Sequence, residues 1–488
     1  MILIIILLLP IITGFFLLLL RNPATVRIVA LTSAIANLLL TLGLIISVPA
    51  TTYTISSTHF MGTQFTLGYD GISLIMLLLT NLLFPFIILS GFTRSHVQIP
   101  VLNFLILFTQ SSLIGVFLAQ NAFLFYIFWE LTLIPVYFIL LLWGGENRRA
   151  VTLKFFIYTL TGSLFLLFGI IYLFTLTPGL HTTDFSAFNQ LHIPAATQTW
   201  LFWILFIAFA IKMPVFPFHT WQPSTYTMAS KQGVMILAGV MTKMGIYGAL
   251  RFLFPIVPQG VLYWQNTVII MCLTGVVYAS VIAFRQTNIK RLIAFSSMAH
   301  ISLMAAAIFA LNYYSLQGLL FQVISHGVTI VALFYLVHLI QERTGTLELP
   351  QMGGLKHVAP NMAILLLMVV LGSIALPLTS GFVGEFLIIT GLAKQSIWIA
   401  VFGGTTMILG AIYMLYAYQR IMLGEPNPNF VKIKDIRALD YFILVPLIAI
   451  IFILGVYPQP ILNLVEASVT SMQKLLIPAN EVISLLTR

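Results

Sequence analysis

Fourteen times along this chain an apolar run long enough to cross a bilayer gives way to a short polar gap. A spanning helix needs roughly 20 residues at a rise of about 1.5 Å each. Runs of that kind fall at 1–20, 27–48, 72–93, 101–119, 122–143, 151–176, 198–221, 231–254, 262–284, 291–311, 314–340, 360–390, 395–421 and 440–458. Of the 488 residues 60% are hydrophobic and 7% charged, against about a quarter charged in an ordinary soluble domain. Lipid offers no partner for backbone N–H and C=O groups, so such runs must be helices. The expectation is an all-α polytopic membrane protein of about fourteen transmembrane helices.

The basic residues set the topology. Assigning loops alternately to two sides puts sixteen of the 22 Lys and Arg on one side, four (Arg251, Lys394, Lys474 and Arg488) on the other, and Lys212 and Lys243 inside the membrane. By the positive-inside rule the rich side is cytoplasmic, which places both termini outside the cytoplasm and suits a bacterial inner membrane, or that of an organelle. The net charge of +10 is therefore topological and argues against nucleic acid as a partner. Arg21 follows the first run instead of preceding it, the reverse of a cleaved signal peptide, so this run reads as a retained helix. Residues 49–71 alternate apolar and hydroxyl side chains around Met61-Gly62 and read as an external β-hairpin. Residues 461–488 read as a segment lying along the membrane surface.

Four charges lie deep in apolar runs: Glu130, Lys212, Lys243 and Glu385. A central charge costs about 2.5–3.5 kcal/mol on insertion scales, so the four together cost on the order of 10 kcal/mol. Two of them adjoin helix breakers, in Lys212-Met-Pro-Val-Phe-Pro217 and Pro377-Leu-Thr-Ser-Gly-Phe-Val-Gly-Glu385. Irregular backbone at this depth is tolerated where it lines a polar cavity or is buried in protein. Either break alone reads as an ordinary proline kink. They fall, however, on helices 7 and 12, five spans apart, so helices 4–8 and 9–13 read as two inverted five-helix repeats, each with a broken helix. Paired breaks of this kind point to a transport site. The expected organisation is 1–93 (helices 1–3 and the hairpin), 94–254 (first repeat), 255–421 (second repeat) and 422–488 (helix 14 and the surface segment).

Glu130 and Lys212 read either as a static ion pair or as a switch. A carboxylate moved toward or away from a desolvated lysine changes that lysine's hold on its proton. A sodium site would favour carboxylates, hydroxyls and carbonyls, so the Lys/Glu mixture favours protons. His300 and His326, with serines nearby, read as relay residues or as packing groups, since histidine titrates near neutrality. His219 and His338 read as structural or access-gating. A haem held by two histidines is the rival redox reading, and a purely structural spacer is another. The single cysteine, Cys272, excludes a disulfide framework and Cys-ligated clusters within the chain. No Walker loop or dinucleotide fingerprint occurs. The energy for transport must come from an ion gradient or from partner subunits.

Four segments, KMPVFPFHTWQP (212–223), GVMTKMGIYG (239–248), NIKRLIAFSSMAHISLM (288–304) and LPLTSGFVGEF (376–386), resemble those of the antiporter-like subunits of respiratory complex I. The resemblance covers nearly the whole chain, and glutamate at 385 together with the length fits the M-type branch, equivalent to mitochondrial subunit 4. It implies a proton-translocating subunit of an NADH:quinone oxidoreductase. Glu130, Lys212, Lys243, His300, His326 and Glu385 would form its relay, with Glu385 the terminal group toward a neighbouring subunit. It also implies antiporter-like and small membrane subunits as partners, and no cofactor in this chain, since NAD, FMN, iron–sulfur clusters and quinone would be bound by other subunits. An Mrp-type cation/proton antiporter subunit is the alternative. Two departures stand out: the loop 224–231 lacks the acidic residue and histidine usual in the family, and Asn288 stands where aspartate is common.

Overall fold

The computed structural model describes residues 1–47, 53–60, 63–93, 98–179, 181–425, 427–430 and 433–486. Among them twelve helices are long and apolar enough to cross a membrane. Two expected spans are not among the twelve. One is the shorter helix Ile2–Leu17, and the other is divided into Pro360–Ser373 and Ser380–Gln395. The hairpin is present as antiparallel strands Tyr53–Phe60 and Thr63–Tyr69, with Ser57 opposite Phe65. Its expected turn at 61–62 lies outside the described residues. The C-terminal segment is a helix, Gln459–Leu486.

The tightest gaps between spans are closed by asparagine. Asn121 Oδ1 accepts the N–H groups of Phe123 and Leu124 at 2.9 and 3.2 Å. Asn312 forms a capping box with Ser315. A side-chain cap satisfies N–H groups that the helix leaves orphaned, so one helix can begin within two or three residues of the last. Asn288 caps Ile289–Phe309 in the same way, and its amide nitrogen donates to Glu348 at 2.9 Å. An aspartate there would face Glu348 with like charge. The departure from the usual residue thus fits its local partner.

The chain forms two compact units: residues 1–213 with 240–268 and 463–488, and residues 214–239 with 269–462. In the first unit the helix Ala195–Lys212 ends at Lys212. Pro214 and Pro217 cannot donate backbone hydrogen bonds, and the helix Gln222–Met228, in the second unit, begins only after the break. In the second unit the other break spans Ile374 to Thr379, where Ala375 and Leu378 have φ of 56° and 76°. Left-handed backbone costs a non-glycine residue on the order of 1–3 kcal/mol and persists only where its surroundings impose it. Here a Cβ placed on Gly455 would meet the Leu378 carbonyl and Thr379, so the helix Ala438–Val456 lies directly on the break.

Two lysines read from the sequence as loop charges are buried in the second unit. Lys290, 3% exposed, donates to the Ala229 carbonyl at 2.6 Å. Lys231, 5% exposed, pairs with Glu342 at 3.4 Å and lies 5.5 Å from the Tyr335 ring. Each still sits at a helix start, where the alternation places it. Only its solvation differs from the expectation.

Candidate functional site

The six candidate residues divide between the two units: Glu130, Lys212 and Lys243 in the first, His300, His326 and Glu385 in the second. In the first unit Lys212 is the last residue of its helix and is 3% exposed. Its ammonium lies 5.1 Å from the centre of the Trp129 ring. Among the described residues no ion pair closes between Lys212 and Glu130, whose Oε1 is buried without a hydrogen-bond partner. The aromatic face is the lysine's direct contact. Trp129 is itself fixed, donating from Nε1 to Ser163 at 3.3 Å and meeting Phe209 edge-on. The static ion pair weighed from the sequence is not formed in this structure.

Lys243 is fully buried. Its helix, Lys231–Ile256, passes through a π-helical turn at Leu237–Met241 immediately before it. Such turns recur at functional sites and have no residue signature of their own. A Cβ on Gly245 would come within 2.7 Å of Met213 N and Phe209 O. Only glycine lets the Lys243 helix approach the broken end of the Lys212 helix so closely.

In the second unit the three residues converge. His300 Nδ1 lies 2.7 Å from Glu385 Oε1, and the rings of His300 and His326 are centred 5.8 Å apart. Gln322 Nε2 donates to the same Glu385 oxygen at 3.2 Å, while Oε2 is buried without a hydrogen bond. Ser325 and Ser380 hydroxyls meet at 2.8 Å, and Tyr413 donates to Ser296 at 3.0 Å. His300, His326, Gln322, Ser296 and Ser325 line a small cavity. It offers about 10 Å³ to the centre of a water-sized sphere, close to the room one water needs. The helices carrying Gln322 and Glu385 meet because residue 384 is glycine: a Cβ there would clash with the Gln322 side chain.

This cluster can hold and pass a proton. At 2.7 Å the imidazole and carboxyl share one proton, carried as N–H···O or as O–H···N. Sequence reasoning nominated His300, His326 and Glu385, the last as the terminal group toward a neighbouring subunit; the structure brings the three side chains together, with the Glu385 carboxyl against His300. It missed Trp129, Gln322 and the Ser325–Ser380 pair. The one available signal was Trp129's adjacency to Glu130. His219 stacks on Phe216 and meets Tyr278 edge-on, with ring centres 5.7 and 5.2 Å away, in the second unit beside the first break. Among the described residues no group of three or more His, Cys, Asp or Glu could hold a metal ion.

Residues 119–410 match the family model described as NADH:quinone oxidoreductase/Mrp antiporter. NADH-quinone oxidoreductase subunit M of Rickettsia typhi is 36% identical over 95% of this chain and 97% of that protein. NADH-ubiquinone oxidoreductase chain 4 of Marchantia polymorpha is 36% identical over 84% of this chain and 82% of that one. A chain of respiratory complex I from Thermus thermophilus superposes with a TM-score of 0.88 at 28% identity, covering 98% of this chain and 100% of that one. A chain of the Mrp complex from Dietzia shares the fold, with a TM-score of 0.85 at 19% identity over 97% and 99%. Matched over 95% of its length by a subunit M relative and over residues 119–410 by the family model, the chain belongs to the NADH:quinone oxidoreductase/Mrp antiporter family, in its M-type branch.

Proposed function

We propose that the chain is a proton-translocating membrane-arm subunit of an NADH:quinone oxidoreductase, driven by quinone reduction in other subunits. The observation that carries the reading is the buried contact between His300 and Glu385 with His326 beside it. Glu130, Lys212 and Lys243 serve the first half of the path, and His326, His300 and Glu385 the second. A change in the Glu130–Lys212 separation lets Lys212 give its proton to the relay. Reprotonation from the other side restores it. Against 100 mV one charge costs about 2.3 kcal/mol, equal to fewer than about two units of pKa change at a donor.

The partners are other antiporter-like and small membrane subunits, and the nicotinamide, flavin, iron–sulfur and quinone chemistry belongs to further subunits of the complex. The distribution of Lys and Arg supports termini on the non-cytoplasmic side of a bacterial or organellar inner membrane. The two broken helices, after Lys212 and before Glu385, support reading helices 4–8 and 9–13 as inverted repeats around the path. The Mrp-type alternative shares the fold, but the subunit M relatives align over nearly the whole chain.

The test is proton pumping by inverted membrane vesicles carrying Lys212→Ala, with assembly of the complex checked on native gels. Loss of pumping and of coupled NADH:quinone turnover in an assembled complex supports the relay. Normal pumping with normal assembly would overturn it and leave a structural spacer as the better reading.

A further inference from the structure

On the helix Ile397–Met422 the side chains of Ile408, Ile412 and Tyr416 are all exposed. Residues four apart lie on one face, so they form an apolar stripe about 12 Å long at 1.5 Å per residue. Phe284, also exposed, widens its end, with its ring centred 6.1 Å from that of Tyr416. One turn further on stands Arg420, in the last turn of the helix and on the same face. Tyrosine between an apolar stripe and a cation marks the level of lipid headgroups. Arg420 lies on the face of the membrane rich in basic residues. All of these residues belong to the second unit.

At the end of the stripe an open pocket of about 580 Å³ is lined by Tyr416, Gln419, Arg420, Glu425, Met352 and Gly353. That size is within the range of about 300–1,000 Å³ usual for small-molecule sites. Its walls are tied together. The Gly354 N–H donates to the Leu423 carbonyl at 2.9 Å, and Asn427 Nδ2 donates to the Gln351 carbonyl at 3.0 Å. Arg420 Nε donates to the Tyr416 hydroxyl at 3.1 Å, and the guanidinium carbon lies 5.3 Å from the centre of that ring. The tyrosine thus steadies the guanidinium and leaves its two terminal nitrogens without a hydrogen bond among the described residues. Arg420 and Glu425 line one pocket, yet among the described residues they form no ion pair.

We propose that this pocket binds the headgroup of a zwitterionic phospholipid carrying a primary ammonium, with an acyl chain lying along Ile412 and Ile408. The guanidinium fork matches two phosphate oxygens at once. Glu425 accepts from the ammonium. A wholly anionic headgroup would set its charge against the Glu425 carboxylate, and a choline headgroup has no N–H to donate to it. The apolar stripe takes the hydrocarbon, which a soluble phosphate lacks. The site stands apart from the proton path and does not depend on it.

The test is photo-crosslinking in the assembled complex, reconstituted in phosphatidylcholine bilayers with assembly checked on native gels. Traces of phosphatidylethanolamine, phosphatidylglycerol or phosphatidylcholine are added, each carrying a diazirine at the same place in one acyl chain. Labelled peptides are located by mass spectrometry. Phosphatidylethanolamine should label the stretch 408–416 at least about fivefold more than either other lipid, and Arg420→Gln should remove that excess. Glu425→Gln should abolish the preference over phosphatidylglycerol. Arg420→Lys, which keeps the charge without the fork, should fall between Arg420→Gln and wild type. Equal labelling by all three lipids in wild type, or an excess that survives Arg420→Gln, would mean unselective annular lipid and would overturn the proposal. No labelling by any lipid would mean that another subunit covers the stripe, and would overturn it too. So would suppression of the labelling by millimolar inorganic phosphate, which would make a soluble anion the occupant. Should Arg420→Gln not assemble, the headgroup preference of the wild type decides alone.

Discussion

His300 Nδ1 and Glu385 Oε1 lie 2.7 Å apart, although 85 positions separate them in the chain. A carboxyl and an imidazole at that distance are joined by a single hydrogen bond, N–H···O or O–H···N. Gln322 anchors the same oxygen, and the second carboxyl oxygen has no hydrogen bond, which leaves it open to a transient donor. Glu385→Gln preserves size and keeps a hydrogen bond to His300 but abolishes the exchangeable charge. We expect an assembled complex whose pumping and coupled turnover fall at least about tenfold. Pumping assays with native gels check this, and wild-type rates would remove Glu385 from the path.

Lys212 rests on an aromatic face and not on a carboxylate. Cation–π contacts contribute about 0.5–2 kcal/mol depending on desolvation. Trp129→Leu should therefore slow coupled turnover by about 5- to 30-fold, the factor that 1–2 kcal/mol represents. Trp129→Phe keeps a ring and should fall between Trp129→Leu and wild type. Equal rates in all three would show that the ring does not tune the lysine.

The contact at Gly384 makes a sharper structural prediction. Gly384→Ala drives a methyl into Gln322, and overpacking of this kind costs about 1–3 kcal/mol. The melting temperature of the purified complex should drop, and turnover should drop with it because Gln322 and Glu385 are pushed apart. Gly404→Ala, where only one side-chain atom lies within 4.0 Å, is the matched control and should melt like wild type.

Asp70 gives a pH dependence whose sign is fixed. Its carboxyl is held below the usual range by Arg251 and Ser73 against the upward push of burial. Its contribution to stability is therefore complete above the unfolded-state value of about 3.9 and is lost as pH falls through the lower folded value. Asp70→Asn should lower the melting temperature by a constant amount from pH 8 to about 5. Below about pH 4 the gap to wild type should shrink. A gap that widened in acid would contradict the assignment of Arg251 as the dominant partner.

The spans were legible because their signal is additive: some twenty apolar side chains in a row outweigh any local irregularity. The two breaks were legible because proline removes a donor wherever it stands. The π-helical turn before Lys243 was not, because Leu237–Met241 differs in no residue type from a regular apolar helix. Nor was the burial of Lys231 and Lys290. Charge alternation locates a lysine relative to the membrane faces, but the carbonyl of Ala229 and the carboxylate of Glu342 that receive them come from other segments. The same limit applies to His300 and Glu385. Each could be nominated for its chemistry, while their contact depends on Gly384, whose importance appears only once two helices are brought together.

The left-handed residues Ala375 and Leu378 have a mechanical consequence. Neither side chain favours that backbone, so the bend ahead of Glu385 is not self-supporting; it is held in shape from outside, by the helix Ala438–Val456 seated on it at Gly455. A sideways displacement of that helix would let the bend relax and shift the start of the helix bearing Glu385. The carboxyl's distance from His300 could then be set by force transmitted through the protein's flank, with no charge having to arrive first.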